Sequence, residues 1–202
     1  MDGSFSNDAF EGGFADPVYG SQAVFADIMR AVSRPGCIVD LGERVRAPSP
    51  LEPAAAAVLA ALADYDTPVW FENESAFAHA ADWLAFHTGA PRVRQAEAAS
   101  FAVMALSSNV GSWTKLPVGT ASYPDRSATL FLPVTALIGG PDLILAGPGI
   151  NGETRIAPAD LPDGFTEARL ANAALYPLGL DLLLVCGPRM LALPRTTTIT
   201  EA

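Results

Sequence analysis

The sequence predicts one α/β domain over residues 16–202, a mixed β-sheet flanked by helices, with a flexible acidic tail at residues 1–15. Three observations point there. Segments of helical and strand period alternate at the start and give way to a strand-rich second half, the order expected of a mixed sheet with helices on its faces. Half of the 202 residues are apolar and 17% are charged, enough for a full core in a domain of ordinary size. Seventeen glycines and seventeen prolines call for many turns, which a helix bundle would not need.

The elements follow in order. In "DPVYGSQAVFADIMRAVSRPG", Asp16 is an N-cap, Pro17 fits the first helical position, and Val18, Phe25, Ile28, Met29 and Val32 form an apolar stripe expected to face inward. The residue before Pro35 avoids the helical region, so "SRPG" ends the helix and "CIVDL" follows as a short strand. "LEPAAAAVLAALAD" is a second helix opened by Pro53, apolar nearly all round and therefore deeply buried. "TPVWF" is a strand. "ESAFAHAADWLAFHTGA" is a third helix with Phe77, Ala80, Trp83 and Leu84 inward and Gly89 as its stop. "SFAVMAL" and "ATLFLPVTAL" read as strands around an irregular stretch, and "LILAGPGI" as a strand running into a turn. "PDGFTEARLANAAL" is a helix, and "GLDLLLVCG" with "RMLALPR" makes a hairpin-like pair. Sustained alternation of a doubly wound parallel fold is missing, and the late strands allow a second, smaller sheet.

The formal charge of −10 is unfavourable for duplex nucleic-acid binding, which rests on clustered cations, and disfavours anionic membranes, but leaves room for a small phosphorylated ligand in a local cationic pocket. No apolar run approaches the roughly 18–20 residues of a membrane span, and the N-terminus lacks a secretion signal, so a cytoplasmic protein is expected. Cys37 and Cys186 sit in strand-like runs, read as buried reduced thiols, and no metal-ligand spacing occurs.

Four groups of residues can carry chemistry. In "LAGPGINGETR", Gly147 and Gly149 leave a strand with little side-chain bulk; their backbone can form an anion-binding concavity that Arg155 completes, or a plain tight turn. In "LPRTT", Arg195, Thr196 and Thr197 can grip a phosphate or a carboxylate at the end of a buried strand; the alternative is an edge arginine paired to an internal acid such as Asp181. In "LADYDTPVW", the paired carboxylates Asp64 and Asp66, with Thr67 starting the next strand, can act as acid and base or bind Mg²⁺, although aspartates at such places more often satisfy loop N–H groups. His87 lies at the end of the third helix, where a cation meets the helix dipole favourably, and eight residues from His79, too far for a joint metal grip. The eleven arginines face a single lysine, Lys115, the only residue that could form a pyridoxal-phosphate Schiff base; nothing around it supports that role, and it reads as a solvated surface residue.

Six motifs in order, "DPVYGSQAVFADIMRAVSRPG", "LADYDTPVWF", "WLAFHTGAP", "LPVGTASYPD", "LAGPGI" and "YPLGLDLLLVCGPRMLALPRTT", resemble the PhnH family, the H subunit of the bacterial carbon–phosphorus lyase core complex, over about residues 14 to 200. The resemblance implies a soluble homodimer with a mixed sheet similar to the pyridoxal-phosphate transferase fold but without the cofactor. It implies partnership with the G, I and J subunits and a part in displacing adenine from ATP by a phosphonate, giving ribose 1-phosphonate 5-triphosphate. An assembly scaffold or a stand-alone enzyme on a phosphorylated nucleotide are the alternatives, with a phosphonate or nucleotide as ligand. Gly147, Gly149, Arg195, Thr196, Thr197, Asp64, Asp66, Thr67, His87, Gly119, Thr120 and Asp181 fall in these motifs, without an implied individual role. Family members often carry an arginine directly after the phenylalanine of the first helix; Ala26 and Asp27 stand there in this chain.

Overall fold

Asp16 opens the first helix as its side chain requires, accepting from the backbone N–H groups of Val18 at 3.0 Å and Tyr19 at 3.1 Å. The computed structural model describes residues 11–202. The expected tail at residues 1–10 lies outside the described residues. Glu11 to Ala15, assigned to that tail from sequence, belong instead to the domain. The Trp83 indole N–H donates to the Glu11 carbonyl at 2.8 Å, and the Arg46 N–H to the Gly12 carbonyl at 2.7 Å.

In chain order the described elements are α1 (Pro17–Ser33), β1 (Val39–Asp40), α2 (Pro53–Leu62), β2 (Val69–Phe71), α3 (Ala78–Thr88), β3 (Arg92–Val93), β4 (Phe101–Val103), β5 (Thr129–Pro133), β6 (Leu143–Ala146), β7 (Thr154–Ile156), α4 (Phe165–Ala173), β8 (Asp181–Cys186), β9 (Arg189–Leu193) and β10 (Thr198–Glu201). A 3-10 turn spans Val110–Lys115. The main sheet has seven strands in the order β1-β9-β8-β5-β4-β2-β3. The β8–β9 hairpin forms as expected, with Leu184 opposite Leu191. The five strands from β8 to β3 are mutually parallel, more than the weak alternation suggested. Strands buried on both faces need no alternation, and β5 and β8 read as continuous apolar runs for that reason. The second, smaller sheet exists: β10-β6-β7, all antiparallel. Mixed sheet and flanking helices make this a single-domain α/β fold.

One face of the main sheet packs on α1, α2 and α3, with the alanines of α2 at the centre and Trp83 fully buried. The other packs on the 3-10 turn, α4 and the small sheet, through Trp113, Phe165, Leu145 and Ile199. Gly89 ends α3 in the left-handed conformation, φ 74°.

Two expectations are corrected. Of the α1 stripe only Ile28 is buried; the inward positions are Val24, Asp27, Ile28 and Ala31, and Val18, Phe25, Met29 and Val32 are exposed. Helix α1 lies against the alanine-rich α2, where small and β-branched side chains allow close approach. Asp27 is buried and paired with Arg30 and, at 2.8 Å, with Arg44. The acid after the first-helix phenylalanine is therefore an internal ion pair and not a surface charge. Cys37 is exposed and Cys186 half-buried; both are free thiols, but neither is sealed in a core.

Candidate functional site

Strand β8 starts at Asp181, and the chain leaves β9 through Pro194 to Arg195, so the hairpin sets these two residues side by side. Asp181 Oδ1 accepts from the Arg195 backbone N–H at 2.8 Å and from its Nε at 3.2 Å; Oδ2 accepts from Nη2 at 2.5 Å. Nη1 donates to the Pro124 carbonyl at 2.7 Å, and Nη2 also reaches the Ser127 hydroxyl. The guanidinium is thereby tied to an internal carboxylate, a carbonyl and a hydroxyl. Of the two readings of Arg195, the structure builds the edge arginine paired to Asp181.

Gly119 and Thr120 serve the same knot. Gly119 has φ +84°, and a Cβ there would stand 2.7 Å from the Pro124 carbonyl oxygen. The Thr120 N–H donates to the Tyr123 carbonyl, and the Tyr123 N–H to the Thr120 hydroxyl, each at 3.1 Å. Together they turn the chain so that the Pro124 carbonyl meets Arg195. Thr197 is fully buried, and its hydroxyl has no partner among the described residues.

Gly147 and Gly149 are close-approach positions. A Cβ on Gly147 would sit 2.8 Å from the Thr196 carbonyl oxygen, and one on Gly149 2.4 Å from that of Ser33. Both have positive φ, 139° and 85°. The "LAGPG" turn is thus wedged between the "SRPG" turn and the "PRTT" turn. Arg155 lies apart and exposed on β7, 3.4 Å from Asp142. It does not complete an anion site with these glycines.

Asp64, Asp66 and Thr67 form a self-contained turn. The Asp64 N–H donates to the Thr67 hydroxyl at 2.6 Å, and Asp64 Oδ1 accepts from the Asp66 N–H at 2.9 Å. This is the loop-satisfying role, with Asp66 exposed. His87 stacks beside Trp83, ring centroids 4.8 Å apart, with Nε2 3.3 Å from the Glu11 carbonyl oxygen. It fastens the N-terminal segment to α3. The thirteen candidates therefore do not form one site: Arg195, Asp181, Gly119 and Thr120 converge, and Gly147 packs on Thr196 beside them.

Sequence reasoning missed Arg169. It is buried on α4, donating to the carbonyls of Leu180 at 3.3 Å, Leu193 at 3.2 Å and Pro194 at 2.9 Å. Burial lowers its pKa to about 10, partly opposed by the Asp181 carboxylate. The signal was present: Phe165, Arg169 and Asn172 share one helical face, and Asn172 also bonds both backbone groups of Leu180. Two polar residues in phase with a buried phenylalanine mark side chains that hold a neighbouring backbone.

Also unforeseen was a crevice of about 690 Å³ at the carboxyl ends of β2 and β4, lined by Glu72–Ser75, Ala78, Arg92, Ala105 and Ser107–Asn109. Glu72 ties its two walls, accepting from the Ala105 N–H at 3.0 Å and the Ser108 hydroxyl at 2.9 Å. No motif marks it, because its residues come from two loops, the start of α3 and strand β3, and the expected strands there lacked β3.

Comparison with known proteins agrees with the order of motifs. A family described as "Bacterial phosphonate metabolism protein (PhnH)" matches residues 12–200. A protein of Rhizobium meliloti (strain 1021), named alpha-D-ribose 1-methylphosphonate 5-triphosphate synthase subunit PhnH, is 42% identical over 190 residues, 94% of this chain and 95% of its own. HtxG of Stutzerimonas stutzeri, provisionally named a C-P lyase subunit protein, is 33% identical over 181 residues, 88% of this chain and 85% of its own. With the match running nearly end to end, this chain belongs to the PhnH family.

Proposed function

We propose that the chain is a subunit of the carbon–phosphorus lyase core complex in phosphonate catabolism. In that role it supports displacement of adenine from ATP by a phosphonate, giving ribose 1-phosphonate 5-triphosphate. The observation that carries this reading is the near full-length similarity to a subunit of the corresponding synthase. The fold supports dependence on partners. The outer face of α1 presents Val18, Tyr19, Phe25, Met29 and Val32 to solvent, a long apolar stripe on one helix. A second copy of the chain covers this stripe in a homodimer, and the G, I and J subunits assemble around that pair. No pyridoxal phosphate takes part: Lys115, the only lysine, is exposed at the end of a 3-10 turn. A reaction fed by ATP places the complex in the cytoplasm.

The internal pairing of Arg195 favours a second reading, in which the chain is a non-catalytic assembly scaffold of the same complex. One reconstitution separates the two. Tagged chain expressed with the G, I and J subunits should retain all three through purification. The complete set should release adenine from ATP and methylphosphonate, and the chain alone should release none. Assembly that survives removal of this chain, with full adenine release, would sink both readings. A chain that turns over unaided would establish the stand-alone enzyme.

A further inference from the structure

The crevice beside Glu72 lies where the main sheet changes the direction of its crossovers. From β2 the chain passes to α3, on the face shared with α1 and α2; from β4 it passes to the 3-10 turn at Val110–Lys115, on the opposite face. Strands β2 and β4 are neighbours and parallel, so the two exits part and leave a gap between them. In open α/β sheets, ligands bind in the crevice outside the carboxyl ends of the strands at such a switch point.

The lining gives the ligand its chemistry. Glu72 is occupied by Ala105 and Ser108, and Glu74 by Arg92 at 2.8 Å, with Arg94 at 3.6 Å. Two carboxylates and two guanidiniums leave the floor close to neutral. The uncommitted groups are mostly donors. Asn73 uses its carbonyl oxygen to accept from Ser75 and Ala76, and Asn109 to accept from Gly111, and neither amide NH2 group has a partner among the described residues. Among the described residues Arg92 engages only Nη2, and Ser107 has no partner. The first N–H groups of α3 have no side-chain cap from Phe77. A cationic fork, two amides, a hydroxyl and a helix start suit a ligand carrying both an oxyanion and hydroxyls.

We propose that this crevice binds a sugar phosphate, its phosphate oxygens on Arg92 and the start of α3, and its hydroxyls on Asn73, Ser107 and Asn109. The location rests on topology; the choice of a pentose rests on the function proposed above. Binding here leaves the Arg195–Asp181 knot undisturbed.

The test is a titration of the purified chain with ribose 5-phosphate, and separately with ribose and inorganic phosphate, followed by backbone amide resonances. Ribose 5-phosphate should shift the amides of residues 72–78 and 105–111. Arg92→Gln should weaken it about tenfold. Asn73→Asp keeps the acceptor that caps Ala76 but places a carboxylate in the crevice, and should weaken it at least as much, with an unchanged circular dichroism spectrum. Arg195→Lys should leave the affinity alone. Shifts confined to another surface, no shift at millimolar ligand, or equal affinity in all variants would overturn the proposal. Inorganic phosphate binding as tightly as the sugar phosphate would overturn the sugar half of it. If the reconstituted complex assembles and releases adenine while the crevice stays silent, only the crevice fails. If the crevice binds and the complex does not assemble, only the proposed function fails.

Discussion

Arg195 shows how a single residue can be located by sequence and misassigned in purpose. A guanidinium leaving a buried strand must find acceptors, but nothing local says whether they belong to the same chain. Asp181 is fourteen positions away, and Pro124 and Ser127 about seventy; only the fold brings them together. Removing one side of such a pair leaves the other uncompensated. Arg195→Ala should lower unfolding free energy by about 2–3 kcal/mol, less than for a fully buried pair because Asp181 is one-third exposed. Urea denaturation measures this directly. An unchanged midpoint with lost phosphonate-dependent growth would return Arg195 to ligand or partner binding. Arg169 makes the complementary case. Its folded pKa, about 10, lies below the ordinary guanidinium value that it regains in the unfolded chain. Between these values the unfolded state holds the proton more tightly, so deprotonation favours the native state as pH rises. Relative to Arg169→Met, the wild type should gain roughly 1 kcal/mol between pH 7 and pH 10.5, read from paired denaturation curves. A loss over that interval would contradict the burial of this cation.

At the scale of elements, α1 separates what a helical pattern reveals from what it hides. Its start at Asp16, its Pro17 and its end at "SRPG" are written in side-chain chemistry and backbone sterics, and all three hold. Its phase is not, because two apolar stripes run along it and the smaller one is buried. Val24, Ile28 and Ala31 fit against the alanines of α2; the larger Phe25 and Met29 are left outside, about half exposed each. Phe25→Glu with Met29→Glu should therefore leave the thermal midpoint within about 2 °C, since the changes lie on the surface. If the proposed homodimer forms across this stripe, sedimentation should then show a monomer where the unaltered chain gives a dimer. A fall of ten degrees or more would mean that the outer stripe supports the protomer itself. Strands β3, β7 and β10 were illegible for a simpler reason: at two to four residues they are too short to display a period.

For the whole molecule, local signals gave the class of fold and the hairpin, and tertiary packing supplied the rest. The parallel core was hidden because strands covered on both faces show no alternation. The crevice was hidden because a switch point is a property of strand order, which no single segment carries. Most motif residues turned out to be joints. Gly149 presses on Ser33, Gly147 on Thr196, and Gly119 on Pro124, so regions far apart in sequence constrain one another.

The small sheet has a consequence for how the molecule assembles. Its middle strand, β6, finds β10 no nearer than 52 positions along the chain, and that span contains the whole β8–β9 hairpin. Distant closures cost more chain entropy than near ones. The hairpin should thus be native while Ile144 still lacks its partner on β10. In pulse-labelled refolding, amides of Leu183 and Leu184 should gain protection ahead of Ile144, making the clasp formed by Thr198–Glu201 the last part of the molecule to shut.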